Sequence, residues 1–421
     1  MKKLLFLALL ALVVTSSWPT AQRRVEAQFQ TGFGAQRAPA IDVDRNGRLY
    51  LSMSVATKTA AERTPGSQIF LTISKNGGST WDNMPLTRNL SKSDGEAFGP
   101  SLAVVKTSSA RSFIAFHDNK TGTTQSYLLV AKKKAKFKKS KNITPHDGGA
   151  FAPRIALDPT EALNLVWGDT GIGRRQVMFS RSTDSGSTFS DAINLSSLDR
   201  DGFEPEIAIS SDSSDIGFAI NVVWEDGGLG QTAIGFRRST DGGVTFSPVQ
   251  QLFAGLGSST EPHIAVDSSN RIHIVWIDEG SANAQAFYSR STDDGATFSA
   301  PVALSNSGGD IRKPFVTTFH DNVYVAYNDD SSRSRQVFLL TSEDGGESFG
   351  EPFRVSNADP SRGRAHSAAM VADPEGTLHI VWIDSSIIGN DEGLLFYGNT
   401  TNGRRLNSQK MILAFLAGPG G

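Results

Sequence analysis

The stretch Ser239–Phe246, STDGGVTF, decides how this chain is read, because it has four further copies. They are SKNGGSTW at Ser74, STDSGSTF at Ser182, STDDGATF at Ser291 and SEDGGESF at Ser342. A serine, an acidic or amide residue, a glycine and a closing aromatic are the parts of a tight turn that ends in a buried ring. In the Ser239 copy, Asp241 is placed to accept N–H groups of the turn, Gly243 to take a positive φ, and Phe246 to pack between neighbouring units. Asn76, Asp184, Asp241, Asp293 and Asp344 hold the equivalent place. A residue present in nearly every copy of a repeat is scaffold, since a binding site needs asymmetry.

A second motif alternates with the first. Its fullest copy is EPHIAVDSSNRIHIVWID at Glu261, and seven copies begin at Pro39, Pro100, Pro153, Pro205, Pro262, Pro314 and Ser367. The steps between them are 61, 53, 52, 57, 52 and 53 residues. Each unit divides into four apolar or alternating runs, such as HIAVD, IHIVWID, QAFYSRS and APVALS in the fifth. Four strands per repeat at this period is the pattern of a β-propeller blade. The expected fold is therefore all-β, a propeller of four-stranded antiparallel blades, seven in number with six as the alternative. VEAQFQT at Val25 aligns in position with the run before the sixth repeat, so an N-terminal outer strand is expected to close the ring. Domain limits follow: residues 1–22 a signal peptide, 23–410 a single propeller and 411–421 a C-terminal tail.

Composition narrows the function classes. The chain has 421 residues, 41 glycines, no cysteine and a formal charge of −2. Without cysteine there is no disulfide framework and no thiolate nucleophile or metal ligand. Near-neutral charge gives no general footprint for nucleic acid. The opening MKKLLFLALLALVVTSS joins two lysines to a short apolar run and then small residues, as a secretory signal does. A secreted or periplasmic monomer with no membrane span and no cofactor is expected, cleavage falling between Ser17 and Ala27. DVDRNG at Asp42 opens like a calcium loop, but its twelfth position is Met53 rather than a bidentate Glu, so a turn is expected and no metal. The lysine-rich run Lys132–Lys141 replaces one Asp turn and offers a place for an acidic polymer.

Asymmetry marks where function lies. The aspartates closing the second strand (Asp118, Asp169, Asp226, Asp278, Asp329, Asp384) and Trp167, Trp224, Trp276 and Trp382 repeat, and so are scaffold. Strand alternation puts the Asp turns on one face with the strand 1 to 2 turns. On the opposite face, the residues around each repeat proline differ from blade to blade: Arg37, Gly99, Arg154, Glu204 and Glu206, Glu261 and His263, Arg312 and Lys313, Arg364 and His366. Arginines grip carboxylates with paired bonds and Glu accepts from hydroxyls, so this mouth suits an anionic glycan. The structural alternative is a ring of mutually neutralising ion pairs lining a wet channel.

The Ser-x-Asp-x-Gly-x-Thr-Phe repeats resemble the Asp boxes of sialidases and related secreted propellers. That resemblance implies a carboxylate-gripping arginine on the first blade, matched by Arg37, and a later one imitated by Arg312. It implies a glutamate that assists a nucleophile, for which Glu204 and Glu261 stand in register. It also implies a general-acid Asp in the loop after the first blade's second strand and a tyrosine nucleophile near the last first strand. The loop SVATKTAAERTPGSQ lacks the Asp, VWIDEG replaces a further expected arginine, and His366 stands where the tyrosine is expected. The expected activity is thus glycan or anionic-ligand recognition with an incomplete catalytic set. Candidate catalytic residues are Glu204, Glu261 and His366; candidate ligand-binding residues are Arg37, Arg154, Glu206, His263, Arg312 and Arg364. Two alternatives stand beside it: a glycoside hydrolase with a rearranged site using two of Glu204, Glu206 and Glu261 as acid and base, and a non-enzymatic interaction platform of the cell envelope.

Overall fold

Each repeat forms one antiparallel sheet, and seven sheets stand in a ring. The computed structural model describes residues 36–412 apart from 58–65, 83–88, 108–110, 133–135, 147, 172, 197, 212–215, 228–230, 254–256, 281, 306, 333, 360, 362 and 387–393. Blade 1 holds β1 (Gln36–Val43), β2 (Leu49–Thr57) and β3 (Gly66–Ser74). Blade 2 holds β4 (Ala97–Val104), β5 (Ser112–Asp118) and β6 (Gln125–Lys132), with β7 (Lys136–Phe137) and β8 (Lys141–Asn142) both paired to β6. Blade 3 holds β9 (Ala150–Leu157), β10 (Leu163–Asp169), β11 (Gln176–Ser182) and β12 (Ile193–Asn194). Blade 4 holds β13 (Asp201–Ser211), β14 (Phe218–Gly227), β15 (Thr232–Ser239) and β16 (Gln250–Leu252). Blade 5 holds β17 (Ser259–Val266), β18 (Ile272–Asp278), β19 (Gln285–Ser291) and β20 (Val302–Ala303). Blade 6 holds β21 (Ile311–Phe319), β22 (Asn322–Asp329), β23 (Gln336–Ser342) and β24 (Phe353–Arg354). Blade 7 holds β25 (Ala365–Ala372), β26 (Leu378–Asp384), β27 (Leu394–Thr400) and β28 (Ser408–Ile412). Among the described residues no helix is long and apolar enough to cross a membrane.

The second strand of each blade is sandwiched on both sides, which is why IHIVWID and LHIVWID read as continuous apolar runs and are buried throughout. Burial is shared between blades: seven apolar clusters sit one at each seam. The repeated turns feed these seams. Ser239 Oγ donates to Asp241 Oδ1 at 2.8 Å, the Thr245 N–H donates to the same oxygen at 2.9 Å, and Gly243 N donates to Ser239 Oγ at 2.9 Å. The turn so fixed lays Phe246 against Phe179 of the preceding blade, edge to face at 5.0 Å. Asn76, Asp184, Asp293 and Asp344 repeat this bonding. Arg181, at the start of one such turn, donates to Asp158 in the β9–β10 turn at 3.0 and 2.5 Å, so both kinds of turn share a face. Asp44 of DVDRNG accepts from the N–H groups of Asn46 and Arg48 as the β1–β2 turn.

The expected closure is corrected. The outer place beside β27 belongs to β28, from the same repeat, with Ser408 to Ile412 paired against Asn399 to Leu395. A segment reached through a short turn costs far less loop entropy than one more than 300 residues away in the chain. Residues 25–31, the signal segment 1–22 and the tail beyond Ile412 lie outside the described residues, and Met411 and Ile412 of the expected tail are part of β28. Among the described residues the ring shuts through side-chain packing: Ile41, Leu51, Met53 and Val55 of blade 1 share a core with Val381, Ile383, Leu395 and Tyr397 of blade 7. Trp81 meets Tyr397 edge to face at 5.4 Å, and the Tyr397 hydroxyl donates to the Gly77 carbonyl at 2.9 Å.

Candidate functional site

Every inner strand breaks register at one place, the repeat proline in blades 1 to 6 and Ala368 in blade 7. Bulges fall at Arg37/Ala40, Phe98/Ser101, Phe203/Glu206, Thr260/His263, Arg312/Phe315 and His366/Ala369, and β9 skips between Phe151 and Arg154. Proline has no N–H to give the ladder, and the residue before it turns left-handed: Gly99 at φ +63°, Ala152 +45°, Glu204 +43°, Glu261 +51° and Lys313 +52°. Ser367, which precedes Ala368, does the same at +56°. For a non-glycine residue this conformation costs roughly 1–2 kcal/mol. The bulge is common to all blades, so it is scaffold. What each blade mounts on it is not.

In blades 4 to 6 the bulges carry Glu204, Glu261 and Lys313, and the N–H groups of Glu261 and Lys313 are taken by neighbouring carboxylates. Glu225 Oε1 accepts from the Glu261 N–H at 2.7 Å; Glu261 Oε2 accepts from the Lys313 N–H at 2.6 Å. Glu261 Oε1 also holds the Lys313 ammonium at 3.1 Å. Glu204 is exposed at the rim. Burial, with the charges of Glu204 and Glu261 added, pushes the Glu225 carboxyl above the usual carboxylate range, against the pull of the Glu261 N–H and Lys313.

One step deeper lies a second layer. Arg154 Nε donates to Glu206 Oε1 at 2.6 Å. His263 lies on Phe315 with ring centres 4.0 Å apart, and its Nδ1 accepts from the Val316 N–H at 3.4 Å. Burial and the Arg154 charge hold His263 below its ordinary pKa, with Glu206 opposing. His117 packs on Phe98 at 4.2 Å, and burial plus Arg154 bring it down to about 4.

The structure thus gathers Arg154, Glu204, Glu206, Glu261 and His263, and leaves the other candidates apart. Arg312 is tied to Glu279 at 2.8 Å on the rim. His366 Nδ1 shares a hydrogen bond with Ser367 Oγ at 2.9 Å, and burial with Arg335 and Arg364 lowers it to about 4. Arg37 lies on β1 opposite Ser54, but its side chain lies outside the described residues. Two contributors escaped the sequence reading, Glu225 and His117. Both sit between the aromatic and the Asp of the second strand, a position filled by Ser54, His117, Gly168, Glu225, Ile277, Asn328 and Ile383 in turn. That variation was the available signal, hidden between two repeating residues.

Fold and mouth together define a class: a seven-bladed β-propeller whose repeated scaffold carries a polar, blade-specific channel mouth. No protein-family profile and no curated protein matches the chain. Among solved structures it is similar to an ulvan lyase of polysaccharide lyase family PL25, with a TM-score of 0.58 at 13% identity over 92% of this chain and 98% of that one. It is similar to the Hadza microbial sialidase Hz136 at 0.50 and 15%, covering 70% of this chain and 64% of the other. The α-L-arabinofuranosidase Arb93A from Fusarium graminearum gives 0.50 and 12%, covering 72% and 92%. Likeness at these identities is likeness of fold.

Proposed function

We propose that this chain is a secreted, sialidase-like propeller that recognises a glycan at the channel mouth without sialidase-type covalent chemistry. One observation carries the second half of that statement: all six tyrosines, Tyr50, Tyr127, Tyr288, Tyr324, Tyr327 and Tyr397, are buried, at most 4% exposed. A nucleophile must reach the substrate, and none of these does. The mouth's own groups favour binding. Arg154 with Glu206 and Lys313 with Glu261 are committed to each other. Neutralising pairs thus span blades 3 to 6, and Glu204 and the remaining N–H donors of Lys313 are rim groups able to accept from and donate to sugar hydroxyls. Structural neighbours described as a lyase, a sialidase and an arabinofuranosidase support a carbohydrate as the ligand class. Glycan-array binding followed by calorimetry tests the proposal: E204Q and K313Q should each weaken binding about tenfold. Efficient hydrolysis of a fluorogenic sialoside would sink it.

A second reading rests on Glu225. A carboxyl inclined to keep its proton, beside a second carboxylate, Glu261, that is paired with Lys313, is the kind of arrangement that acid and base catalysis uses. It predicts glycoside cleavage lost in E225Q but not in H366Q. The architectural bonds of both carboxylates to bulge N–H groups favour recognition instead.

A further inference from the structure

At four seams the turn glycine rests against an aromatic ring of the preceding blade: Gly78 on Tyr397, Gly243 on Phe179, Gly295 on Phe236 and Gly346 on Tyr288. Between blades 2 and 3 the pattern breaks, and Gly186 meets Leu128. Leu128 pairs with Ala115 as Tyr288 pairs with Val275, so the two hold the same place in their blades. The missing ring leaves room. Beside Leu128 lies a cleft of about 590 Å³, whereas its counterpart beside Tyr288 holds about 190 Å³.

The same blade has lost its Asp turn to the lysine run, and the two departures meet. Lys138, Lys139 and Lys141 line the open cleft with Arg111, over a floor of Leu128 and Val130 and against the wall Asp184–Ser187. Strand β6 is paired by β7 and then by β8, so the chain between Phe137 and Lys141 swings out. Lys138 and Lys139 are exposed, and their ammonium groups have no ion-pair or hydrogen-bond partner among the described residues. Lys141 donates to the Ser187 carbonyl, and Arg111 pairs with Glu161 and the Ser185 hydroxyl. The carboxylate of Asp184 is turned into its own turn, taking the Thr188 N–H at 2.8 Å and hydroxyl at 2.7 Å. The cleft therefore presents uncompensated positive charge above an aliphatic floor.

We propose that this cleft, on the face opposite the channel mouth, is a second binding site that takes an acidic polysaccharide strand. Ammonium groups meet the carboxylates or sulfates, and Leu128 and Val130 lie under the C–H face of a sugar ring. The volume lies in the range of ligand pockets, roughly 300–1,000 Å³. A single-stranded nucleic acid would need aromatic platforms for its bases, and among the described residues no ring lines the cleft. A bilayer surface would need apolar groups standing proud of the protein, whereas here they form the floor.

The test uses the whole protein and a fluorescently labelled polyuronate oligosaccharide, with poly-dT, anionic vesicles and neutral pullulan as competitors. K138Q/K139Q removes two unpartnered exposed charges and should fold as the parent does, with an unchanged melting temperature. Its affinity should fall about tenfold. L128F restores the ring of the other seams and should weaken binding with every lysine in place. The fall caused by K138Q/K139Q should be the same on an E204Q background as on the parent, which separates this site from the one proposed above. Undiminished binding by K138Q/K139Q or by L128F overturns the proposal, as does tighter binding of poly-dT, vesicles or pullulan than of the polyuronate.

Discussion

Glu261 holds Lys313 at both ends: one carboxylate oxygen takes the lysine's backbone N–H at 2.6 Å and the other its ammonium at 3.1 Å. The residue gripped is in the left-handed conformation, so the bond across the blade 5 to blade 6 seam stabilises a strained bulge as well as neutralising a charge. E261A leaves the Lys313 N–H without its partner and should destabilise the fold by about 1–3 kcal/mol. E261Q keeps an acceptor and should cost less, because the exposed part of the ion pair is worth little. Urea unfolding of the two variants checks the order.

Ring closure at blades 7 and 1 gives a second expectation. The Tyr397 hydroxyl donates to Gly77 O and lies 2.6 Å from His379 Nδ1, which in turn is fixed by Asp373 at 3.0 Å. Y397F keeps the packing against Trp81 and removes only the hydroxyl. It should cost about 1–3 kcal/mol, read as a lower urea midpoint at unchanged m.

Turn glycines should differ in a graded way. A Cβ on Gly243 would stand 2.4 Å from the Phe179 ring, at φ +85°. On Gly186 it would meet the end of the Leu128 side chain at the same 2.4 Å, and on Gly77 nothing within 4 Å. G77A should therefore cost about 1 kcal/mol, the left-handed strain alone. G243A should cost about 2–4 kcal/mol, adding overpacking against a rigid ring, with G186A between them because an aliphatic end gives way. Thermal melts of the three rank the effects.

Stability should also fall with pH in two stages. His117 and His366 are lowered to about 4 in the fold, against about 6.5 in the unfolded chain. Between those values the unfolded chain binds protons that the folded one refuses, so stability is full above about 6.5 and declines towards about 4, by at most roughly 2 kcal/mol per histidine at pH 5. The sign is opposite to that of a histidine held by a carboxylate. Asp184 is lowered to about 2 by the N–H and hydroxyl of Thr188, so its contribution is present above about 4 and is lost as pH falls towards 2. Urea midpoints at pH 7, 5 and 3 measure both stages, and H366Q should flatten the first.

What sequence could tell followed from repetition. Prolines at a step near 53 residues and STDGGVTF turns gave blade count, strand count and the face each turn occupies, because a repeated bond needs the same residues each time. Repetition hid the mouth's chemistry. Arg154 and Glu206, on neighbouring inner strands, could be placed near one another but not paired, and the pairing of Arg312 with Glu279 on the rim was not foreseen. Glu225 was passed over because it stands between Trp224 and Asp226, both scaffold. The left-handed bulge was invisible for a different reason: residues before proline ordinarily prefer extended backbone, and only the packed ring imposes the exception.

Blade 7 completes itself with β28, and among the described residues its joint with blade 1 rests on side-chain packing and the Tyr397 hydroxyl bond to Gly77. Among the described residues, every paired strand of a blade comes from that blade's own repeat. The ring is a set of interchangeable staves rather than a belt with a buckle. New ends cut between β12 and β13, with the old ones joined by a flexible linker, should yield a permuted chain that refolds to the same seven cores.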